Sequence, residues 1–213
     1  RIKPDGTIIS PIDFIPVYEK SGLISRLDRY IWEQAAAKLG EWKKAGINMS
    51  ISVNISPKDF YYIDIFNTFA GLIKKYDIEP SNLKIEITET TIMSDVPNLM
   101  GELEELRKAG FTLEMDDFGS GYSSLNTLKD INVDVLKVDM GFIKETKNVK
   151  KSRIILASVI KMAKELNLLI ITEGVETEEQ VDNLTKLGCD VFQGYYFSKA
   201  IDVNEFEKRY LYR

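Results

Sequence analysis

Two periodicities alternate along the chain. From Ile24 to Ala45, Leu27, Ile31, Ala35, Leu39 and Trp42 recur on one helical face, and Gly46 ends the run. A strand pattern follows over Ile51–Ser56, then a helical stretch from Pro57 to Tyr76, with Ser56 placed to cap it and Pro57 suited to its first turn. The alternation continues with strand Leu83–Glu89, helix Val96–Ala109 stopped by Gly110, and strand Phe111–Phe118 leading into a Gly/Ser-rich turn and a short helix, Ser123–Leu128. Strand Val135–Met140, helix Ser152–Leu166, strand Leu168–Thr172, helix Glu178–Leu187, strand Asp190–Ser198 and helix Asn204–Tyr210 complete the reading. No linker, low-complexity tract or charge block divides these elements, so residues 1–213 read as one domain.

Strands separated by helices predict a mostly parallel sheet in an α/β fold. An open doubly wound sheet would place a Gly-rich phosphate loop after its first strand, and none is present. A closed barrel is the competing solution, with its site at the C-terminal strand ends. The polar residues bear on this. Ser52 and Asn54 alternate with Ile51, Val53 and Ile55; Lys84, Glu86 and Thr88 alternate with Ile85 and Ile87; Lys137 and Asp139 alternate with Leu136 and Val138; Gln193 is out of phase with Phe192. In an antiparallel sheet this would be a solvated face. In a parallel sheet both faces are normally covered, so the polar set is expected at a barrel mouth.

Composition narrows the chemistry. The chain is 44% hydrophobic and 29% charged, as in an ordinary folded domain. Its longest mainly apolar run, Val133–Val138, holds Asp134 and Lys137 and is far too short to span a membrane. A net charge of −5 argues against a nucleic-acid polymer as partner. One cysteine, Cys189, excludes an intrachain disulfide and fits a reducing, cytoplasmic setting, with tethering of a parent protein left open. The absence of histidine removes imidazole bases, Ser-His-Asp and Cys-His triads and His-ligated zinc. Carboxylates, amides and lysines must do the work.

Asp116-Asp117 ends the third strand before Phe118-Gly119-Ser120-Gly121-Tyr122, and two acids before glycines also suit a solvated turn. The fifth strand runs into Glu173-Gly174-Val175-Glu176, where Glu176 fits a helix entry. Glu86, Glu89, Asp116, Asp117, Asp139 and Glu173 gathered at one rim would repel, so they would hold protons or cations. An all-oxygen donor set favours Mg²⁺ or Mn²⁺. Lys137 either pairs with these acids structurally or orients a water nucleophile.

Seven motifs then coincide in order and spacing: Pro11-Ile12-Asp13-Phe14-Ile15-Pro16 through Gly22-Leu23-Ile24, Ser52-Val53-Asn54-Ile55-Ser56, Glu86-Ile87-Thr88-Glu89, Asp116 through Leu125, Leu136-Lys137-Val138-Asp139, Glu173 through Thr177, and Gln193-Gly194-Tyr195. Together they resemble the EAL-domain cyclic di-GMP phosphodiesterases of bacteria, over essentially the whole chain. The resemblance implies a modified (β/α)8 TIM-type barrel with one strand antiparallel. It also implies hydrolysis of cyclic di-GMP to linear pGpG with two Mg²⁺ or Mn²⁺ ions. By motif, Asn54, Glu86 and Asp116 would bind one ion, Asp116 would bridge, and Asp117 with Glu173 would hold the second. Lys137 would contact the attacking water with Asp139 nearby, Gln193 would support the network, and Glu89 would anchor the Asp116–Leu125 loop. The alternative readings are Asn54 as a strand-end hydrogen-bonder and Gln193 as a buried amide, and the ordered motifs favour the functional one.

The Glu-Ala-Leu motif that names the family is missing from these residues. Arg1, ahead of Pro4-Asp5-Gly6, fits the phosphate-binding arginine that follows it, so the first two barrel strands and the motif glutamate are expected upstream of residue 1. The 213 residues expressed alone are then expected to be poorly folded and inactive. Expected partners are cyclic di-GMP, a second copy in a homodimer and an upstream regulatory or GGDEF-type domain. Two rivals remain at this stage: a catalytically inactive EAL module acting as a sensor, and a TIM-barrel enzyme with another substrate.

Overall fold

The computed structural model describes residues 5–7, 9–94, 98–119, 124–139, 141, 149–189 and 191–212. The chain divides into two compact units. The first runs to Ile87 and resumes over Thr91–Phe111; the second comprises Thr88–Thr90 and the chain from Thr112 onward.

In the first unit, α1 (Pro11–Ser21) leads to α2 (Ile24–Lys44), β1 (Ile51–Asn54), α3 (Asp59–Tyr62), α4 (Ile65–Tyr76), β2 (Leu83–Thr88, its last residue in the other unit) and α6 (Leu99–Lys108), with the short α5 (Glu89–Ile92) between the last two. β1 and β2 pair in parallel, Val53 against Ile85 and Asn54 against Glu86. Their apolar phase is buried, with Val53, Leu83, Ile85 and Ile87 all out of solvent. Trp32 of α2 packs 4.9 Å from Phe69 of α4, and Phe69 meets Phe111 edge-on at 5.7 Å. This triplet is the aromatic centre of the unit.

Four details differ from the sequence reading. α1 was not expected: it carries Pro16 inside it, a residue that ordinarily breaks a helix, and it fully buries no residue. The buried face of α2 keeps the expected Ala35, Leu39 and Trp42 and adds Trp32, Ala36 and Gly40, whereas Ile31 is exposed. The helix expected from Pro57 to Tyr76 is two helices, because the Asp64 side chain caps a fresh start by accepting from Asn67 N–H at 3.0 Å. Ser56 does not cap with its hydroxyl; its own N–H donates to Asp59 Oδ2 at 2.8 Å.

The second unit carries β3 (Leu113–Asp116), α7 (Ser124–Asp130), β4 (Val135–Asp139), α8 (Val149–Glu165), β5 (Leu169–Glu173), α9 (Glu178–Leu187), β6 (Val191–Phe192) and α10 (Val203–Phe206), followed by a π-helical turn, Glu207–Leu211. β3 pairs with β4, β4 with β5 and β5 with β6, all parallel and in chain order. Strands laid down successively with no reversal of order create no topological switch point, which is the winding of a barrel and not of a doubly wound sheet. Every strand pair among the described residues is parallel. Leu113, Met115, Leu136, Val138, Leu156, Ile160, Ala163 and Ile170 are buried in this unit, and α8 packs on β5. Cys189 is buried beside β5, where its sulfur accepts from Thr172 Oγ1 at 3.3 Å.

α9 spans the expected residues because its ends are chemically marked. Thr177 accepts from Gln180 N–H at 3.3 Å, the Gln180 side chain accepts from Thr177 N–H at 3.0 Å, and Gly188 closes the helix in the left-handed region. Thr177→Ala removes half of this reciprocal cap, and the expected loss is about 1 kcal/mol in urea unfolding.

Candidate active site

Parallel register decides which side chains share a face. In the first unit, Ser52 and Asn54 of β1 lie on the same face as their partners Lys84 and Glu86 of β2. Asn54 is held from behind: Trp32 Nε1–H donates to its carbonyl oxygen at 2.9 Å, and Ile55 N–H donates to the Glu86 carbonyl at 3.0 Å. The Asn54 side chain is exposed and Glu86 half-buried.

In the second unit, Glu114 and Asp116 of β3, Lys137 and Asp139 of β4 and Glu173 of β5 share a face, with Asp139 directly opposite Glu173. Lys137 is their focus. It is 4% exposed, and its ammonium stands 2.7 Å from Glu173 Oε1 and 3.5 Å from Asp116 Oδ1. Glu173 Oε1 is itself buried; it meets Lys137 as an ion pair, outside hydrogen-bond angles, and has no hydrogen-bond donor. Burial pushes the Glu173 carboxyl above its usual range and Lys137 pulls it back, while Asp116 and Asp117 push it up further. Asp117 is raised too, by burial first and then by Asp116 and Asp139, with Lys137 opposing. These acids lean on one lysine.

Local backbone aims the acids. Asp117 takes a left-handed conformation (φ 55°), and its N–H donates to Asp116 Oδ1 at 2.9 Å. Phe118 N–H then returns to the Lys137 carbonyl at 3.2 Å. Asp139 Oδ1 accepts from Gly141 N–H at 2.6 Å. Gln193 follows β6, exposed, with its backbone tied to Thr172 and Val175 on either side of Glu173. The strand expected over Asp190–Ser198 is only Val191–Phe192, because the chain turns at Gly194 against Val175. Glu89 does not close a strand: it starts α5 and is buried.

Arg1, Ser120–Ser123 of the Asp116–Leu125 loop, Met140 and Asp190 lie outside the described residues, as does the expected start of α6 at Val96. Among the described residues no three acids stand close enough to hold an ion as placed. The donors are nonetheless all hard oxygens, and Asp116, Asp117 and Glu173 crowd round the single ammonium of Lys137. By donor chemistry the residues fit a divalent ion. The sequence reading missed Trp32, whose link to Asn54 spans 22 positions with no linear signal.

The EAL domain model matches residues 1–200. The chain belongs to the EAL-domain family. It is 34% identical to the bifunctional diguanylate cyclase/cyclic di-GMP phosphodiesterase MucR of Pseudomonas aeruginosa, over 95% of this chain and 30% of MucR. It is 32% identical to the cyclic di-GMP phosphodiesterase PdeR of Escherichia coli, over 99% of this chain and 32% of PdeR. With the signaling protein YkoW of Bacillus subtilis the identity is 35%, over 97% of this chain and 26% of YkoW. The chain thus spans about a quarter to a third of the length of these relatives. Among solved structures, the PaMucR phosphodiesterase in complex with c-di-GMP superposes with a TM-score of 0.88 at 34% identity, covering 96% of this chain and 83% of that one. EAL domains are TIM-type barrels, and this EAL chain shares their fold.

Proposed function

We propose that this chain is the catalytic domain of a cyclic di-GMP phosphodiesterase, opening one phosphodiester of the ring with water to give linear pGpG. One observation carries the reading: a buried lysine, Lys137, set between Asp116 and Glu173 on the polar face of a parallel sheet. A structural ion pair needs no further acids beside it, yet Asp117 and Asp139 stand on the same rim. Similarity to MucR and PdeR, and to a structure solved with c-di-GMP, supports the substrate.

Asp116, Asp117 and Glu173 would hold a divalent ion in the second unit, and Asn54 and Glu86 supply oxygen donors in the first. Mg²⁺ or Mn²⁺, when bound, supplies acidification of water and neutralisation of charge on the phosphoryl oxygens. Lys137 donates an N–H to the oxygen of the water that attacks phosphorus and so fixes its position. Asp139 and Gln193 fix that water laterally, Glu89 anchors the turn after β3, and Arg1 grips a substrate phosphate. A homodimer, an upstream regulatory or GGDEF-type domain and a cytoplasmic location complete the proposal. MucR, matched over 30% of its length, carries both activities in its name. Among the described residues no helix is long and apolar enough to cross a membrane.

The test is release of pGpG from cyclic di-GMP, followed by anion-exchange chromatography. Turnover is expected with Mg²⁺ or Mn²⁺ and a fall to background in excess EDTA. Undiminished hydrolysis in EDTA would refute the ion's role. Tight binding without turnover at any ion concentration would identify a sensor instead.

A further inference from the structure

Away from the acids around Lys137, the first unit holds a second polar cluster, between the start of α2 and the turn after β1. Asp59 is fully buried: its Oδ2 accepts from Ser56 N–H at 2.8 Å, and its Oδ1 has no hydrogen-bond donor. The Asp28 carboxyl lies close enough to feel the charge and side chain of Asp59. Ser25, one turn earlier on α2 and 6% exposed, also has an unpartnered hydroxyl, as does Ser56, whose side chain Asp28 also feels. Two bare carboxylates both accept and cannot bond to each other, so an unpartnered buried oxygen facing a second acid marks the place of a proton.

We propose that Asp28 keeps its proton and donates it to the unpartnered Asp59 Oδ1, and that this acid pair clamps the turn after β1 to α2. The clamp acts beside Trp32, one turn further along α2, whose indole N–H holds the Asn54 carbonyl. α2 therefore grips the Asn54–Ser56 segment twice, once at Asn54 O and once through Asp59 at Ser56 N. Asp28 is a positioning residue for Asn54, and its effect on turnover rests on the cation role proposed for Asn54.

The surroundings favour a proton over a lysine partner. From α1, Glu19 adds negative charge. Lys58, at the head of α3, donates to the Glu19 carbonyl oxygen. On α2 itself, Arg29 is felt by Glu33, and Glu33 is paired across to Lys75 of α4. Burial first, then the charge and contact of Asp59, push the Asp28 carboxyl from 3.8 up to about 8, with Ser56 opposing and Glu19 adding. The folded chain then keeps a proton that the unfolded chain releases above 3.8. This contribution to stability is complete below 3.8, wanes as pH rises and is gone above about 8.

The full chain is compared as wild type, Asp28→Asn and Asp28→Ala. An amide at position 28 donates an N–H that is not lost on raising the pH. Asp28→Asn is expected to melt with the wild type at pH 5 and several degrees above it at pH 9. A wild-type-minus-Asn difference that stays constant with pH would overturn the proton on Asp28. Asp28→Ala is expected to speed hydrogen exchange of the Ser56 amide at pH 6 at least about tenfold, with Asp28→Asn restoring protection. Unchanged Ser56 exchange in Asp28→Ala would overturn the clamp. If exchange quickens and Asn rescues it while kcat is untouched, the clamp stands and the proposed role of Asn54 fails.

Discussion

Lys137→Ala is expected to abolish release of pGpG and, without divalent ions, to lower the melting temperature sharply. Lys137 is 4% exposed, and the two acids that it meets are 18% (Glu173) and 16% (Asp116) exposed. Removing one member of a buried charge pair leaves the other stranded, at a cost of about 3–5 kcal/mol, and partial solvent access places this case near the lower end. Lys137 is also what opposes the upward push on Asp117 and Glu173, so without it both carboxyls move further up. The two roles of Lys137 separate with added Mg²⁺ or Mn²⁺. A divalent ion can replace the missing charge among the acids, so melting should recover in part. It does not replace the amine that holds the water, so turnover should not. Thermal melts with and without ion, beside a pGpG assay, make the comparison. Near-wild-type kcat in Lys137→Ala would return the lysine to a structural ion pair.

The second large effect is expected at Gly194. A Cβ there would collide with the Val175 carbonyl oxygen and nitrogen and lie 2.7 Å from its carbonyl carbon. All three are backbone atoms, so no rotamer change can relieve the clash. The same approach makes two hydrogen bonds, Val175 N–H to Gln193 O at 3.1 Å and Tyr196 N–H to Val175 O at 3.0 Å. Gly194→Ala must push the turns apart and weaken both. Two bonds at about 1 kcal/mol each, plus strain, give roughly 3 kcal/mol or more. That corresponds to a melting temperature lower by on the order of 10 °C for a chain of this size. Because Val175 follows Glu173 by two residues, pGpG release should fall as well. A variant that melts with the wild type would show that the turn accommodates a methyl group freely.

The parts legible in sequence were those written at short range. Alternation in β1, β2 and β4 needs only neighbouring residues, and it placed Asn54, Glu86, Lys137 and Asp139 correctly in phase. α9 was bounded exactly as expected because Thr177, Gln180 and Gly188 are local signals. Long-range contacts were not legible. Trp32 reaches Asn54 and Asp28 meets Asp59 only after α2 has packed on β1 and α3. α1 is hidden in the sequence because Pro16 interrupts its helical signal and its Phe14, Ile15 and Tyr18 are only half-buried. β6 was drawn too long because the Gly194–Val175 approach, invisible in composition, turns the chain after Phe192.

The chain's one cysteine is sealed beneath β5, where Thr172 donates to its sulfur. A thiol so enclosed reacts with an alkylating reagent only when the surrounding structure opens, and Cys189 belongs to the second unit. Its labelling rate is therefore a clock for the opening of that unit alone. The indole of Trp32 belongs to the first unit. Thiol labelling followed together with indole hydrogen exchange would time the two units separately in a single unmutated chain. It would show whether they open as one cooperative body or whether one yields before the other.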